Sequence, residues 1–151
     1  NPTPPDIRIN FDPSLPDVIV DSDALLQVLI NLLQNATDAL SAQDDRRIII
    51  TTRFLMSGAL RSPDEGLGGR PVKLPVEVTI TDNGPGVPDH IADELFAPFV
   101  TTKRDGQGLG LAIVQKLIRD MNARVIHERD AGEGLTNFRL LLPVTDWRSG
   151  K

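Results

Sequence analysis

The stretch from Asp23 to Leu40 carries apolar residues at helical spacing, and no other feature of the sequence constrains the fold as strongly. Its apolar positions are Leu25, Val28, Leu29, Leu32, Leu33, Ala36 and Leu40. The spacing predicts an amphipathic helix, and either Asp21 or Ser22 is suited to cap its first turn. Because the apolar face is broad, the helix must pack on a second layer.

Alternating segments elsewhere in the chain predict that this second layer is a β-sheet. Ile7, Ile9 and Phe11 alternate with polar residues, as is typical of a half-buried strand. Further strands are predicted for Ile48 to Phe54, Val76 to Ile80, Ala123 to Glu128 and Thr136 to Leu142. Helices and strands that alternate in this way predict an α/β two-layer sandwich.

The remaining segments are predicted from local composition. A short helix is expected around Asp89 to Leu95, and a longer one from about Leu109 to Met121. The many glycines and prolines between Ser57 and Pro71 predict an extended, mobile hairpin loop with little regular structure. The proline-rich residues 1–5 are typical of a linker, so the domain is expected to span residues 6–146, with a tail at 147–151.

Composition excludes several classes of protein. The 151 residues include no cysteine, which rules out a disulfide framework, a thiolate zinc site and a thiol nucleophile. A net charge of −5, without a clustered basic patch, argues against nucleic-acid binding. The sequence has neither a long apolar run nor a signal-peptide pattern, so a cytoplasmic location without a membrane partner is expected. Any anionic ligand must be held by local geometry.

A polar row follows one edge of the predicted Asp23–Leu40 helix. Gln27, Asn31, Asn35 and Asp38 fall within a sector of about 80° around the helix axis. Their side-chain oxygens suit a hard cation such as Mg²⁺. A solvated helix face is the alternative, and for the row taken alone it is the favoured explanation.

Asp82 continues the alternation of the preceding strand, so its carboxylate is predicted to point toward the buried face. A buried carboxylate needs a hydrogen-bond donor. The following segment, Asn83 to Gly86, permits close approach of a flat group, and the exocyclic amine of adenine is a suitable donor. Guanine presents a carbonyl there, so one aspartate can select the base. The alternative is an ordinary Asp-Asn-Gly turn.

A glycine-rich segment, Gly106 to Leu111, leads into the predicted second long helix. Its backbone amides and the positive end of that helix converge where an anion can bind. The segment matches neither the Walker pattern nor a dinucleotide-binding fingerprint, which requires a preceding strand. Lys103 and Arg104 add positive charge that can follow terminal phosphates, with surface solvation as the alternative.

Five motifs in order resemble those of the ATP-binding catalytic domain of sensor histidine kinases. They are similar to the N, G1, F, G2 and final G boxes of the Bergerat ATP-binding fold, and they lie at Asn31 to Ala36, Asp82 to Gly86, Phe96 to Phe99, Gly106 to Leu111 and Gly132 to Phe138. The resemblance covers almost the whole chain. It implies a mixed sheet with about three helices on one face and a mobile ATP lid.

Three shorter stretches are most similar to the nitrogen-regulation, NtrB-type members of that family. They are Asn35 to Leu40, Phe99 to Lys103 and Leu140 to Pro143. The resemblance therefore implies a role in nitrogen regulation.

The resemblance also implies roles for individual residues. Asn35, with Asn31 beside it, is expected to hold Mg²⁺ on the ATP phosphates, and Asp82 to bind the adenine amine. Gly84 and Gly86 are expected to shape the base pocket, and Thr136 to support the adenine edge. The residues expected to contact phosphates are Gly106, Gly108, Leu109, Gly110 and Leu111. Phe96 and Phe99 are expected to anchor the lid. The lid also carries Thr101 and Thr102 as candidates for nucleotide binding and Lys103 as a candidate catalytic contact with the phosphates.

Some positions depart from the wider superfamily or lie outside the family motifs. Asn31 stands where related chaperone, topoisomerase and mismatch-repair ATPases carry a glutamate that activates water. Because asparagine cannot act as a general base, slow ATP hydrolysis is expected, and phosphoryl transfer to a histidine is favoured. His90 and His127 lie outside the upstream phosphoacceptor motif and are interpreted as structural or surface residues. Asp38 replaces a basic residue found in many relatives, which leaves its role open.

The resemblance implies a protein-histidine kinase that phosphorylates a histidine on its own dimerisation domain, for relay to an NtrC-like response regulator. A PII-type signalling protein is a further expected partner. The full-length protein is expected to be a homodimer and the isolated domain a monomer. Two alternatives stay open: an ATP hydrolase of the same fold that drives conformational work, and a binding module whose nucleotide site orders a lid for partner docking or for control of a response-regulator phosphatase.

Overall fold

The computed structural model describes residues 4–18, 20–55, 60–61, 73–87, 95 and 110–144. In chain order its elements are β1 (Asp6–Asn10), α1 (Ser22–Ala39), β2 (Arg47–Phe54), β3 (Leu60–Arg61), β4 (Lys73–Leu74), β5 (Val76–Asp82), α2 (Gly110–Asp120), β6 (Arg124–Asp130) and β7 (Leu135–Leu142). The predicted long helices and sheet strands are all present, with ends shifted by one or two residues. None of the helices in the described ranges is both long and apolar enough to cross a membrane.

Five strands form one mixed sheet in the order β1-β2-β5-β7-β6. The pairing of β1 with β2 is parallel, and the other neighbours are antiparallel. Because parallel neighbours need a crossover connection, the chain between β1 and β2 forms α1, which packs on one face of the sheet. The predicted α/β two-layer sandwich with a mixed sheet is confirmed.

The hydrophobic core lies between the helices and one face of this sheet. Val28, Leu32 and Ala36 of α1 are fully buried there, and Leu95 joins the same cluster at 6% exposure. The rest of the predicted helix at Asp89 to Leu95 lies outside the described residues. Of the roughly three helices expected on this face, the described part of the chain contains two.

One expectation about local structure is corrected. Strand β1 forms as predicted, but Ile7, Ile9 and Phe11 are 50%, 55% and 62% exposed, so the expected half-burial is wrong. The physical reason is that β1 is an edge strand, while α1 packs against β5 and α2 toward the centre of the sheet. In the segment predicted as a hairpin loop, β3 pairs with β4, which follows the segment, in a separate antiparallel ribbon. The other residues from Ser57 to Pro71 lie outside the described ranges.

The structure also selects between the two predicted caps of α1. The Asp21 Oδ1 atom accepts hydrogen bonds from the backbone N–H of Asp23 at 2.9 Å and of Ala24 at 3.4 Å. These bonds satisfy donors that the first helical turn leaves unpaired. Asp21, and not Ser22, is therefore the N-cap.

We expect Asp21→Ala to lower the free energy of unfolding by about 1 kcal/mol, because the helix loses its cap. Urea unfolding, followed by the midpoint at constant slope, measures this loss. Asp21→Asn, which keeps an acceptor oxygen, is the control and should stay close to the parent. Equal losses in both variants would contradict a capping role.

Candidate functional site

Three side chains form a row across the end of the sheet, on the face that carries the helices. Asp82 of β5 pairs with Thr136 of β7, and Thr136 pairs with Arg129 of β6. Directly paired residues on neighbouring strands point to the same side of a sheet. Asp82 is 2% exposed and Thr136 is 5% exposed. The predicted inward direction of Asp82 is confirmed.

The Asp82 carboxylate is anchored by the turn that follows it. Its Oδ1 atom accepts a hydrogen bond of 2.9 Å from the backbone N–H of Gly84. Burial raises the pKa of Asp82, while the Gly84 hydrogen bond and the positive charge of Arg129 act in the opposite direction. The predicted turn and the predicted buried acceptor are thus both present, because the turn uses one carboxylate oxygen and the other can accept a donor from a flat ligand.

Two glycines of this turn allow close approach by neighbouring groups. A methyl group on Gly84 would lie 3.0 Å from Asp82 Oδ1 and 3.1 Å from the carbonyl oxygen of Ala39 in α1. Gly86 has a φ of +74°, and a methyl group there would lie 3.0 Å from Arg129 Nε. Any larger residue at either position would displace the last turn of α1 or the Arg129 side chain.

Asn83, between Asp82 and Gly84, fastens the turn to the loop after α1. Its Oδ1 atom accepts from the backbone N–H of Arg47 at 2.8 Å, and its Nδ2 atom donates to the carbonyl of Asp45 at 3.0 Å. The side chain of Asn83 is therefore occupied in holding the fold. It leaves ligand recognition to the residues on either side.

Members of the polar row on α1 form hydrogen bonds along the helix, one within the row and one with Gln34, which lies outside it. Gln27 Nε2 donates to Asn31 Oδ1 at 2.9 Å, and Gln34 Nε2 donates to Asp38 Oδ1 at 3.0 Å. Asn35 precedes Ala39 by one helical turn, on the same side of α1, and the Ala39 carbonyl meets the Gly84 turn. Asn35 is therefore the amide of the row that lies nearest the Gly84 turn.

The donor set defines what kind of metal site this region can form. No group of three or more histidine, cysteine or acidic side chains with metal-site geometry occurs among the described residues. A divalent cation here would depend on amide oxygens such as those of Asn35 and Asn31, together with oxygens of the ligand. That combination fits Mg²⁺, which binds through few protein ligands and substrate phosphates.

The glycine-rich segment is only partly described. Gly110 and Leu111 begin α2, which confirms that this segment leads directly into a helix, and α2 packs against α1. The other predicted phosphate-binding, lid and histidine positions lie outside the described residues: Phe96, Phe99, Thr101, Thr102, Lys103, Arg104, Gly106, Gly108, Leu109 and His90.

His127, interpreted from the sequence as a structural or surface residue, points toward the helical layer from β6. Its ring centroid lies 5.1 Å from that of Phe138 in β7. Burial lowers the pKa of His127, and Arg129 contributes in the same direction. The ring thus packs against a core phenylalanine, and the lowered pKa favours its neutral form.

Arg129 was not predicted as a site residue. Its position in β6, two residues beyond His127, places it on the helix-facing side by simple alternation. Only the pairing of β6 with β7 brings it beside Thr136, so no local motif marks it. The alternation from Val125 through His127 is the one signal that could have indicated its direction.

A family match identifies this fold, with helices on one face of a mixed sheet, as a nucleotide-binding ATPase domain. Residues 20–146 match the family described as Histidine kinase-, DNA gyrase B-, and HSP90-like ATPase. The chain belongs to this family, whose members use ATP as substrate, and the resemblance drawn from the five motifs is confirmed.

The curated relatives point to one group of sensor kinases. The chain is 42% identical over 141 residues to the sensory histidine kinase/phosphatase NtrB of Rhizobium leguminosarum bv. phaseoli, covering 92% of the chain and 36% of that protein. It is 43% identical to NtrB of Rhodobacter capsulatus, covering 89% of the chain and 36% of that protein. The chain thus spans about a third of the length of these relatives.

Solved structures show the same fold. The catalytic domain of histidine kinase ThkA is 29% identical with a TM-score of 0.70, covering 91% of this chain and 78% of that one. Full-length ShkA in complex with AMPPNP is 26% identical with a TM-score of 0.65, covering 92% of this chain and 26% of that one.

Proposed function

We propose that residues 6–146 form the catalytic domain of an NtrB-type sensor histidine kinase, which binds Mg·ATP and delivers the γ-phosphoryl group to a histidine. The observation that carries the proposal is the row of Asp82 and Thr136 beside the Gly84 turn, in a chain similar to NtrB over about 90% of its length. ShkA, with the same fold, was solved with AMPPNP, an analogue of ATP.

In this proposal Asp82 accepts a hydrogen bond from the exocyclic amine of adenine. Its Oδ1 atom is engaged by Gly84, so the amine meets the other oxygen. Thr136 contributes its hydroxyl to the same edge of the base, while Gly84 and Gly86 let the turn lie close to the ring. The phosphates extend toward Asn35 and the start of α2.

Asn35, supported by Asn31, would hold Mg²⁺ on the phosphates, where the ion would neutralise charge on the γ-phosphoryl group. On the phosphates themselves the proposal places Gly106, Gly108, Leu109, Gly110 and Leu111, with Thr101, Thr102 and Lys103 of the lid. Catalysis then consists of positioning and charge neutralisation. Because Asn31 cannot deprotonate water, ATP hydrolysis stays slow and the γ-phosphoryl group is transferred to a histidine instead.

The proposal extends to the whole protein. A dimerisation domain supplies the phosphoacceptor histidine, and an NtrC-like response regulator in the cytoplasm receives the phosphoryl group. A PII-type protein is a candidate regulator. Nitrogen regulation is the expected pathway, on the basis of the similarity to NtrB.

A trans assay tests the proposed activity. We expect the chain, mixed with Mg·ATP and a dimerisation domain taken from an NtrB relative, to produce acid-labile phosphohistidine. Asn35→Ala should reduce the product, whereas Asn10→Ala, at an exposed position of β1, should not. ATP binding without phosphohistidine would favour a binding module, and steady-state phosphate release far above background would favour a hydrolase.

A further inference from the structure

Arg129 links the Gly84 turn to Thr136, the two groups that neighbour the Asp82 carboxylate. Its Nη1 atom donates to the carbonyl oxygen of Gly84 at 2.9 Å and to Thr136 Oγ1 at 2.9 Å. One nitrogen thereby uses both of its hydrogens to connect the turn after β5 with the start of β7. Gly84 and Thr136 are both buried, while Arg129 itself is exposed, so these bonds are partly buried.

The turn lies against the Arg129 side chain at Gly86. A methyl group on Gly86 would lie 3.1 Å from Arg129 Cζ and 3.1 Å from Cδ, so a larger residue there would require the Arg129 side chain to shift. Gly86 also has a φ of +74°, which disfavours other residues independently. The contact and the backbone conformation therefore depend on the same residue.

The bond from Arg129 restricts how the Thr136 hydroxyl can act. Accepting from Arg129 uses one of the two acceptor positions of Thr136 Oγ1, and the hydroxyl hydrogen must point away from that bond. This bond therefore favours Thr136 as a donor toward a ligand beside Asp82. The pair Asp82 and Thr136 presents one acceptor and one donor, side by side, on paired positions of β5 and β7.

This order of groups matches one purine and opposes the other. Adenine offers a donor at its exocyclic amine and an acceptor at the adjacent ring nitrogen. Guanine offers the reverse, a carbonyl and a ring N–H, so both contacts would oppose like groups. Leaving buried hydrogen-bonding groups mispaired in this way costs more free energy than a correctly formed hydrogen bond contributes.

We propose that Arg129 is a positioning residue that sets the donor direction of Thr136 and thereby the preference of this site for adenine over guanine nucleotides. The inference rests on the proposed function, because it takes Asp82 and Thr136 to meet the base. Arg129 itself acts through Thr136 and the Gly84 turn.

Calorimetric titration of the full chain with Mg·ATP and with Mg·GTP tests this inference. We expect Arg129→Met, which keeps the length of the side chain and removes its donors, to lower the ratio of ATP to GTP affinity about tenfold. Loss of a positive charge weakens both nucleotides alike and cancels in the ratio. Arg124→Met, on the opposite face of β6, makes the same charge change and should keep the parental ratio.

Further variants separate a specific effect from a general loss of structure. Thr136→Val should lower the ratio as Arg129→Met does, and the double variant should lower it no further, because both act through one hydroxyl. Arg129→Lys keeps the charge but lacks the planar group, and it should lower the ratio of ATP to GTP affinity about threefold. This variant provides the test if Arg129→Met does not fold. An unchanged ratio in a folded Arg129 variant, or in Thr136→Val, would overturn the inference.

Nucleotide binding by the parent chain distinguishes failure of the proposed function from failure of the inference about Arg129. If it binds neither nucleotide, the proposed function is wrong. If it binds both equally well, or if Arg129→Met weakens both by one common factor, ATP binding stands and the role of Arg129 in base selection is refuted.

Discussion

Replacing Arg139 with methionine is expected to lower the free energy of unfolding by about 3–5 kcal/mol, because it leaves the buried carboxylate of Glu77 without its main partner. The side chain of Glu77 is only 4% exposed, on the sheet face opposite the helices. Arg139 holds it through Nη2 at 2.7 Å and Nε at 3.0 Å, both to Oε2. A carboxylate so enclosed cannot recover water when the arginine is removed.

The remaining contacts of Glu77 do not replace Arg139. Thr79 donates to Glu77 Oε1 at 3.1 Å, and Arg53 Nη1 lies 3.6 Å from the same oxygen. The Arg53 side chain is 61% exposed, so solvent screens its charge and its contribution is small. The two charge-assisted hydrogen bonds from Arg139 to Oε2 are the ones that compensate for burial.

Urea unfolding measures the loss, and two variants identify its source. Arg124→Met removes another arginine from the same sheet face and should change stability by less than about 0.5 kcal/mol. Glu77→Leu combined with Arg139→Met should be more stable than Arg139→Met alone, because no unpaired charge remains. If Arg139→Met stayed within about 1 kcal/mol of the parent, the carboxylate would have to be solvated, contrary to its position here.

Asp82→Asn is expected to weaken ATP binding by about 1–3 kcal/mol, which is about 5- to 150-fold in affinity. The asparagine oxygen can still accept from the Gly84 N–H, which directs the amide nitrogen to the place of the second carboxylate oxygen. There it opposes the exocyclic amine of adenine with a donor. Calorimetry on the parent and the variant measures the loss, and an unchanged affinity would contradict base recognition by Asp82.

The same substitution should not damage the fold. Because burial raises the pKa of Asp82 above its ordinary 3.8, the folded chain binds this proton more tightly than the unfolded chain does. The cost of the ionised carboxylate therefore appears as the pH rises through the raised pKa, and Asp82→Asn should gain stability relative to the parent over that range. Asp44→Asn, at an exposed position, makes the same charge change and should alter neither affinity nor stability.

Much of the site could be predicted because its signals are local. Asp82 follows Val76, Val78 and Ile80 in strict alternation, so its direction is fixed by the pleat of one strand. The Asn31 and Asn35 amides follow from the period of one helix in the same way. What these residues bind came from the resemblance to a family, since an amphipathic helix or an Asp-Asn-Gly turn occurs in many proteins.

Burial could not be predicted where it depends on neighbours. Ile7 and Ile9 alternate as well as the residues of β5 do, yet they are exposed because β1 lies at the edge of the sheet. Glu77 has the opposite outcome: a charged residue in a solvent-facing phase of β5 is buried, and it pairs with Arg139, 62 residues away in sequence. Neither outcome has a sign in the local sequence.

The sequence by itself determined the elements, their apolar faces and the inward direction of Asp82, because each depends on the periodicity of a single helix or strand. Only the tertiary structure decided that Arg129, 45 residues beyond Gly84, closes the turn and directs the Thr136 hydroxyl. The pairing of β5, β7 and β6 aligns these residues in one row, and strand register is set by contacts that no segment contains alone.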